Sequence, residues 1–390
     1  MNVTPLALHS PASVRDALRA GGWDEELAAD AAAGIHHLAF RLTGLDQEAL
    51  EALVLFAGTL GLDVLTGDGW AVLAGSRARL SAFARPWLVP APLAEAATLV
   101  GLALPAQPPT TWDTARGPIA LDGPVVMAIL NVTPDSFSDG GRAIGVEGAL
   151  GRAEEMVRAG AGIIDVGGES TRPGRTEAVP EAEELRRVIP VVESLVREHP
   201  DLPISVDTVK AEVARAALGV GAAIINDVSG FRLDPAMPST VARGKAGVVL
   251  MHSRGPILEI SSYRHAEYRG DVVGIVIAEL RAALTLAGEA GILPGATVVD
   301  PGFGFSKTEE QCLQLLDQLE ALQALGRPVL VGPSRKRFVS AGTGLAVHER
   351  DGVTAFACAM AWERGARLFR VHSVAPVREA LALAQRAGGA

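Results

Sequence analysis

Polar and charged side chains recur in this chain at one kind of place, just after a short apolar run. Asn131 follows the run at 125–130, and Glu169 to Gly174 follow the run at 162–166. Asp207, Asn226 with Asp227, His252 and Asp300 close four later runs. Ser334-Arg-Lys336 closes another, and Arg370 and His372 stand at the end of the last. These residues fall into two chemical sets. Asp207, Asn226, Asp300 and Lys336 combine two carboxylates, a carboxamide and an ammonium, which suit a flat heterocycle with donor and acceptor edges. A carboxylate accepts two parallel N–H bonds from an amino-pyrimidinone as it does from a guanidinium. Lys336 is expected to donate to ring oxygen and nitrogen, and to keep the deep carboxylates from standing as unpaired charges. The second set is Asn131, Arg172, Arg370 and His372, with Ser and Thr nearby. It suits phosphate oxygens, Arg above all for its planar fork. Asn131 with the Asp135 loop suits Mg²⁺, a hard cation that needs few protein oxygens where phosphate and water supply the rest.

The elements that position these groups follow from the same runs. Val, Ile and Leu in short unbroken stretches predict strands buried on both faces. Eight occur, at 125–130, 162–166, 203–206, 222–225, 247–251, 296–299, 328–331 and 367–371. Helix-like segments lie between and after them, at 146–159, 180–198, 209–218, 235–245, 271–290, 309–325, 350–364 and 375–386. Eight strand–helix alternations predict an α/β fold, a (β/α)8 TIM barrel over 116–390, whose C-terminal mouth would hold the polar residues. A doubly wound open sheet is the alternative. The first 115 residues predict a small α/β N-terminal domain ending in a linker around Gln107-Pro-Pro-Thr-Thr111. Its helices are expected at 13–33, 46–60 and 76–84, the second with Leu50, Leu53, Val54 and Ala57 inward, and its strands at 36–42, 62–65 and 70–73. His36 and His37 are adjacent on a strand and so point to opposite faces, which argues against a shared metal.

Composition narrows the classes. The 390 residues are 48% hydrophobic but only 4% aromatic, so the core must come from Ala, Val, Leu and Ile. A formal net charge of −10 argues against a general nucleic-acid partner. Cys312 and Cys358, far apart and without zinc spacing, predict neither a disulfide framework nor a zinc site, and a reducing, cytoplasmic setting fits. No secretory signal is expected, and the apolar window at 87–104 is broken by Pro90, Pro92 and Glu95, so it does not predict a membrane span. Gly302-Phe-Gly304-Phe-Ser-Lys307 has neither the last glycine of a dinucleotide fingerprint nor the spacing of a P-loop.

Asn131-Val-Thr-Pro-Asp-Ser-Phe-Ser-Asp-Gly-Gly141 and Ile164-Asp-Val-Gly-Gly-Glu-Ser-Thr-Arg-Pro-Gly174 together resemble the paired signatures of the dihydropteroate synthases. Ser205-Val-Asp-Thr-Val-Lys210, Ile225-Asn-Asp-Val-Ser-Gly230, Met251-His252, Asp300-Pro-Gly-Phe-Gly-Phe305, Ser334-Arg-Lys336 and Arg370-Val-His372 agree in order. The resemblance covers about 116–390. It implies condensation of 6-hydroxymethyl-7,8-dihydropterin diphosphate with 4-aminobenzoate to 7,8-dihydropteroate and diphosphate, a step of folate synthesis and the target of sulfonamides. It implies Mg²⁺, these small-molecule substrates rather than nucleic acid or membrane, and a homodimer through the late barrel helices. Asp207, Asn226, Asp300 and Lys336 would bind the pterin, with Met251 and Arg370 on its two faces. Asn131, Arg172, Arg370 and His372 would take the diphosphate, with Asn131 on the metal. Phe137, Thr171, Pro173, Phe305 and Ser334 would line the aminobenzoate pocket, whose carboxylate would meet the N-terminus of the helix after strand seven. Asp207, Lys336, Arg370, His372 and Asp135 would carry the chemistry. Diphosphate would leave first, Asp207 would stabilise the resulting cation, and the loops at 131–141 and 169–174 would exclude water.

Two departures stand out. Ser373 occupies the place after His372 where the resemblance implies Asp, and Ser253 stands where a longer apolar or amide side chain is expected. The nearest rival is a pterin-binding methyltransferase acting on a corrinoid, which has no use for two diphosphate-closing loops. A catalytically silent pterin-binding paralogue is the rival from another class, kept open by Ser373. The small N-terminal domain resembles the extension some bacterial members carry, and its role is not implied.

Overall fold

The computed structural model describes residues 24, 37–104, 109–133, 142–169 and 177–387. The chain divides into two compact units, Met1–Pro105 and Ala106–Ala390.

In the first unit the order is β1 (His37–Thr43), α1 (Gln47–Thr59), β2 (Asp63–Gly67), β3 (Trp70–Ser76), α2 (Arg77–Phe83) and α3 (Ala94–Ala103). The strands form a sheet in the order β1-β3-β2, antiparallel throughout. Asp46 starts α1 by accepting the Ala49 N–H at 2.8 Å, which satisfies one of the donors a helix start leaves open. The buried stripe of α1 is Ala49, Leu53 and Ala57. Val54, expected to face inward, is 50% exposed because it lies one step beyond that stripe. The apolar window with its two prolines becomes a short 3-10 turn, Ala91–Leu93, leading into α3. Among the described residues no helix is long and apolar enough to cross a membrane. Apart from Asp24, the helix expected at 13–33 lies outside the described residues.

The second unit opens with a hairpin, β4 (Thr111–Thr114) and β5 (Gly117–Ala120), which the sequence pattern does not predict. Eight parallel strands follow: β6 (Val125–Asn131), β7 (Ile163–Gly167), β8 (Ile204–Asp207), β9 (Ile224–Asp227), β10 (Gly247–Met251), β11 (Thr297–Asp300), β12 (Val329–Val331) and β13 (Ala366–Val371). They close into a barrel in chain order, with β13 pairing β6, so the open-sheet alternative falls away. The helices are α4 (Arg142–Arg158), α5 (Glu181–Glu198), α6 (Ala211–Gly219), α7 (Met237–Gly244), α8 (Val272–Glu289), α9 (Glu309–Asp317), α10 (Asp351–Glu363) and α11 (Val374–Ala387). The helix expected at 309–325 is two pieces, because Gln318 leaves helical geometry and a 3-10 segment, Leu319–Leu325, continues from it.

The period-two rule of strands sorts each run into two faces. Ala128, Leu130, Ile164, Val166, Val206 and Leu250 point outward to the helices. Met127, Ile163, Ile224, Val249, Val298, Leu330 and Leu368 point inward and form an apolar floor. Trp112 of the hairpin belongs to that floor, fully buried, with its Nε1 donating to the Ala296 carbonyl at 3.0 Å. Trp112→Phe keeps an aromatic side chain but loses the indole N–H and strands that carbonyl. The expected cost is about 1–3 kcal/mol, read as a lower urea midpoint at unchanged slope; an unchanged midpoint would remove the Trp112 hydrogen bond from the account of stability.

Candidate active site

Two residues beyond the floor, on the same inward face, four of the seven strands present a polar or charged side chain. Ile129, Asp165, Asn226, Met251, Asp300, Gly332 and Arg370 follow Met127, Ile163, Ile224, Val249, Val298, Leu330 and Leu368 at that spacing. Ser205 joins them on β8, level with Asp165. One step higher stand Asn131, Gly167 and Asp207, in register across β6, β7 and β8. Parallel register therefore turns scattered sequence positions into one ring.

Arg370 is the centre of that ring. Its Nε lies 2.6 Å from Asp165 Oδ2 and its Nη2 lies 2.6 Å from Asp207 Oδ2. Asp165 also accepts from Ser205 Oγ at 2.6 Å and from Asn226 Nδ2 at 3.1 Å. Asp165 is wholly buried and Asn226 nearly so, whereas the Asp207 side chain keeps 11% of its surface open toward the mouth. Burial pushes the Asp207 carboxyl up to about 7, against the pull of Arg370. Arg370, expected on a face of the heterocycle, thus stands among the deep carboxylates and pairs Asp207, the part expected of Lys336, whereas the field of Lys336 acts on Asp300. Asp165 was missed because it sits inside an apolar run, where a carboxylate is itself the signal of a polar interior partner.

Asp300 stands on the other side of Arg370. A Cβ added at Gly332 would lie 3.9 Å from the Arg370 Cβ and 4.0 Å from Asp300 Oδ2, so a glycine keeps that side open. Asp300 accepts the Gly302 N–H at 2.7 Å, and burial raises its pKa against the field of Lys336. Gly302 sits at φ +69°, and a Cβ there would come within 2.0 Å of the His252 carbonyl. Lys336 donates to the Phe303 carbonyl and lies 3.8 Å above the Phe305 ring. Burial lowers it to about 8, with Asp300 opposing. Met251 and Phe305 share a small apolar cluster with Val228 and Ile260, a hydrophobic wall beside the carboxylates. His252 is engaged below: its Nδ1 is 2.8 Å from the buried Lys307 Nζ and its Nε2 is 2.9 Å from Glu279. Ser253 is buried, donating to the Val228 carbonyl at 2.7 Å, and Arg232 donates to the Ser253 carbonyl at 3.1 Å.

Of the residues expected to take phosphate, Asn131, Arg370 and His372 are described. Ser334 Oγ is 2.9 Å from His372 Nδ1 and accepts the His372 N–H at 3.1 Å, so strand ends seven and eight are tied together. After β12 comes a 3-10 turn, Phe338–Ser340, and the helix expected there begins at Asp351. Above Gly167, an added Cβ would sit 3.6 Å from Asn131 Oδ1 and 3.9 Å from Asp207 Oδ2, so glycine leaves a cradle beside the carboxamide oxygen. Asp135, Phe137, Thr171, Arg172 and Pro173 lie outside the described residues. The base of the second loop is held by Glu169, which accepts the Val179 N–H at 2.9 Å and pairs with Lys210 at 2.7 Å. Lys210 also reaches Glu184 at 2.5 Å; burial would lower the ammonium, but the two carboxylates outweigh it and raise it. Neither Lys210 nor Glu184 was singled out from sequence.

A closed barrel whose C-terminal mouth holds carboxylates, a carboxamide and a guanidinium over an apolar floor defines an enzyme site for a flat, hydrogen-bonding heterocycle. The model of the family described as pterin binding enzyme matches residues 127–372. A dihydropteroate synthase of Mycobacterium leprae is 47% identical over 262 residues, 66% of this chain and 90% of that protein. A Xanthomonas albilineans dihydropteroate synthase solved with 4-aminobenzoic acid is 45% identical, covers 72% of this chain and 99% of that one, and superposes with a TM-score of 0.66. The same organism's enzyme in complex with 7,8-dihydropteroate is 42% identical over 72% of this chain and 99% of that one, with a TM-score of 0.64. The chain belongs to the pterin binding enzymes and, among them, to the dihydropteroate synthases, which are transferases.

Proposed function

We propose that the mouth binds 6-hydroxymethyl-7,8-dihydropterin diphosphate and 4-aminobenzoate and joins them into 7,8-dihydropteroate with release of diphosphate, as a step of folate synthesis. The observation that carries this reading is the inward layer of Asn226, Asp300 and Arg370 above the apolar floor, with Asp207 one step higher and paired to Arg370. Asp207, Asn226 and Asp300 accept from and donate to the pterin edge, Lys336 donates to ring oxygen and nitrogen, and Met251 and Arg370 lie on its faces. Asn131, Arg172, Arg370 and His372 take the diphosphate. Phe137, Thr171, Pro173, Phe305 and Ser334 form the aminobenzoate pocket. Asn131 offers a single neutral oxygen beside the open cradle at Gly167, which fits a hard cation that draws its remaining oxygens from diphosphate and water. Mg²⁺ held there would supply positive charge to the leaving diphosphate.

The C–O bond breaks with its electron pair leaving on diphosphate, and the Asp207 carboxylate stabilises the pterin-methyl cation. Arg370 and His372 stabilise the diphosphate. The aniline nitrogen, placed by the second pocket, forms the C–N bond and gives its proton to solvent. Exposed apolar side chains on the late helices, Leu313 on α9 and Phe356 on α10, support a homodimer through that face. Two buried free cysteines, Cys312 and Cys358, are consistent with a cytoplasmic setting.

Purified protein with both substrates and Mg²⁺ is expected to release diphosphate and dihydropteroate together. Chelation with EDTA should stop turnover and added Mg²⁺ should restore it. Pterin binding without diphosphate release would sink the synthase reading, and turnover that survives chelation would sink the role of the metal.

A further inference from the structure

The resemblance implies an Asp after His372, yet Ser373 stands there, while the Ser334-Arg335-Lys336 and Arg370-Val-His372 motifs around it are intact. The geometry around the Ser334-Arg335-Lys336 turn accounts for the exchange. Arg335 has φ +58°, a left-handed conformation that a side chain with a Cβ adopts only when its surroundings hold it. The start of α10 supplies that hold. Arg335 Nε and Nη2 form a two-pronged pair with Asp351, at 2.7 Å to Oδ1 and 2.9 Å to Oδ2. The Arg335 N–H donates to Thr354 Oγ1 at 3.1 Å, and its carbonyl accepts from Arg350 Nη1 at 3.1 Å. Arg335 above all, with Ser373 and His372 adding to it, holds the Asp351 carboxyl below the ordinary carboxylate range. On the opposite side Ser334 Oγ joins both the ring and the backbone N–H of His372. The contacts close a circuit, from Asp351 through Arg335, Ser334, His372 and Ser373 back to Asp351. Lys336 and Arg370, the two cations aimed into the mouth, leave the chain from the two arms of that circuit.

We infer that Asp351 is a positioning residue that supplies, from the first turn of α10, the carboxylate the resemblance places at position 373. It holds the left-handed Arg335 turn and thereby fixes how Lys336 and His372 are presented to the pterin diphosphate. This rests on the reaction proposed above. Positions 351 and 373 form a matched pair. With Asp at 351, a second carboxylate at 373 would crowd like charges onto one guanidinium, whereas the serine hydroxyl can donate to Asp351. The departure at Ser373 is therefore a relocation of the carboxylate, and the silent-paralogue reading that it kept open loses its support. A purely structural part is the alternative, since a carboxylate in the first turn favours any helix.

The test is a four-member set measured by steady-state kinetics and thermal melting: the parent, Asp351→Ala, Ser373→Asp and the double variant. The parent's turnover in the same assay decides the reaction itself, separately from this inference. Asp351→Ala is expected to lower kcat/KM for the pterin diphosphate by on the order of tenfold to a hundredfold, the range for losing a residue that orients an active-site group. Ser373→Asp alone is expected to lower it too, through like-charge crowding. The double variant is expected to recover most of the loss, because the carboxylate again reaches Arg335 from the other arm. Loss of a helix-capping charge would not be rescued from 373. Full activity in Asp351→Ala, or a double variant no better than that single one, overturns the inference. If Asp351→Ala does not fold, Asp351→Asn, which keeps the side-chain shape, gives the same comparison in its own pair with Ser373→Asp.

Discussion

Arg370→Met is expected to destabilise the barrel by about 3–5 kcal/mol, the cost of removing one partner from a buried ion pair. The arithmetic favours the upper part of that range. Arg370 faces two carboxylates at 2.6 Å each, and one of them, Asp165, has no exposed surface. Without the guanidinium, Asp165 keeps only Ser205 and Asn226 as donors, and Asp207 must shed its charge or draw in water. Methionine fills much of the volume and supplies no positive charge, so packing loss is kept small. Chemical denaturation should therefore show a large fall in midpoint at a nearly unchanged slope. A second substitution separates charge from shape: Asp165→Asn in the Arg370→Met background should recover part of the loss, because it removes the carboxylate left unpaired. Stability equal to the parent in Arg370→Met, or no recovery in the double variant, would mean that the ring does not hold the barrel mouth together. Arg370→Lys should fall between, since an ammonium keeps the charge but cannot fork between two carboxylates on neighbouring strands.

The same ring shows what could be read ahead of the structure. Strand positions were legible because apolar runs of four to six residues, closed by polar ones, leave little choice of period or length. Reading the residue after each run placed Asn131, Asp207, Asn226 and Asp300 at one mouth, where β6, β8, β9 and β11 bring them. The rule failed for side chains that do not sit at run ends. Asp165 lies within β7, and only the alternation of faces, combined with the register Asp165 with Ser205, shows that it points inward with Arg370. Lys210 and Glu184 come from α6's leading edge and from α5, and their meeting depends on how two helices pack over β7 and β8, which no local pattern encodes. The hairpin at 111–120 was hidden for another reason. Its strands are four residues each, and its one strong anchor, Trp112, reads as an isolated aromatic in a polar stretch. What local pattern fixes is which face a residue takes; which partner it finds there is a property of barrel closure.

Asp207→Asn is expected to lower kcat by on the order of a hundredfold to a thousandfold, the range for deleting one group aimed at charge that develops in the transition state. The fold should survive, because Arg370 keeps its 2.6 Å contact with Asp165 and asparagine matches the shape of aspartate. Affinity for 4-aminobenzoate should fall far less than turnover, since Asp207 stabilises the cation and does not line the second pocket. The pH profile adds an independent check. Burial lifts the Asp207 carboxyl to about 7, so the parent should lose kcat/KM for the pterin substrate as pH falls through that value and the carboxylate becomes neutral. Lys336, lowered to about 8 by burial, should set the alkaline limb, where its ammonium loses a proton. Asp207→Asn should abolish the acid limb and leave the alkaline one. The linkage to stability runs opposite to that of a salt-bridged surface carboxylate. A folded pKa above the ordinary 3.8 means that the folded chain holds this proton longer, so the contribution of Asp207 declines as pH rises from there to about 7. Above pH 7 the asparagine variant should be no less stable than the parent while turning over far more slowly. Parental kcat in Asp207→Asn, or an acid limb that persists in it, would remove Asp207 from the chemistry and leave it as a partner of Arg370 alone.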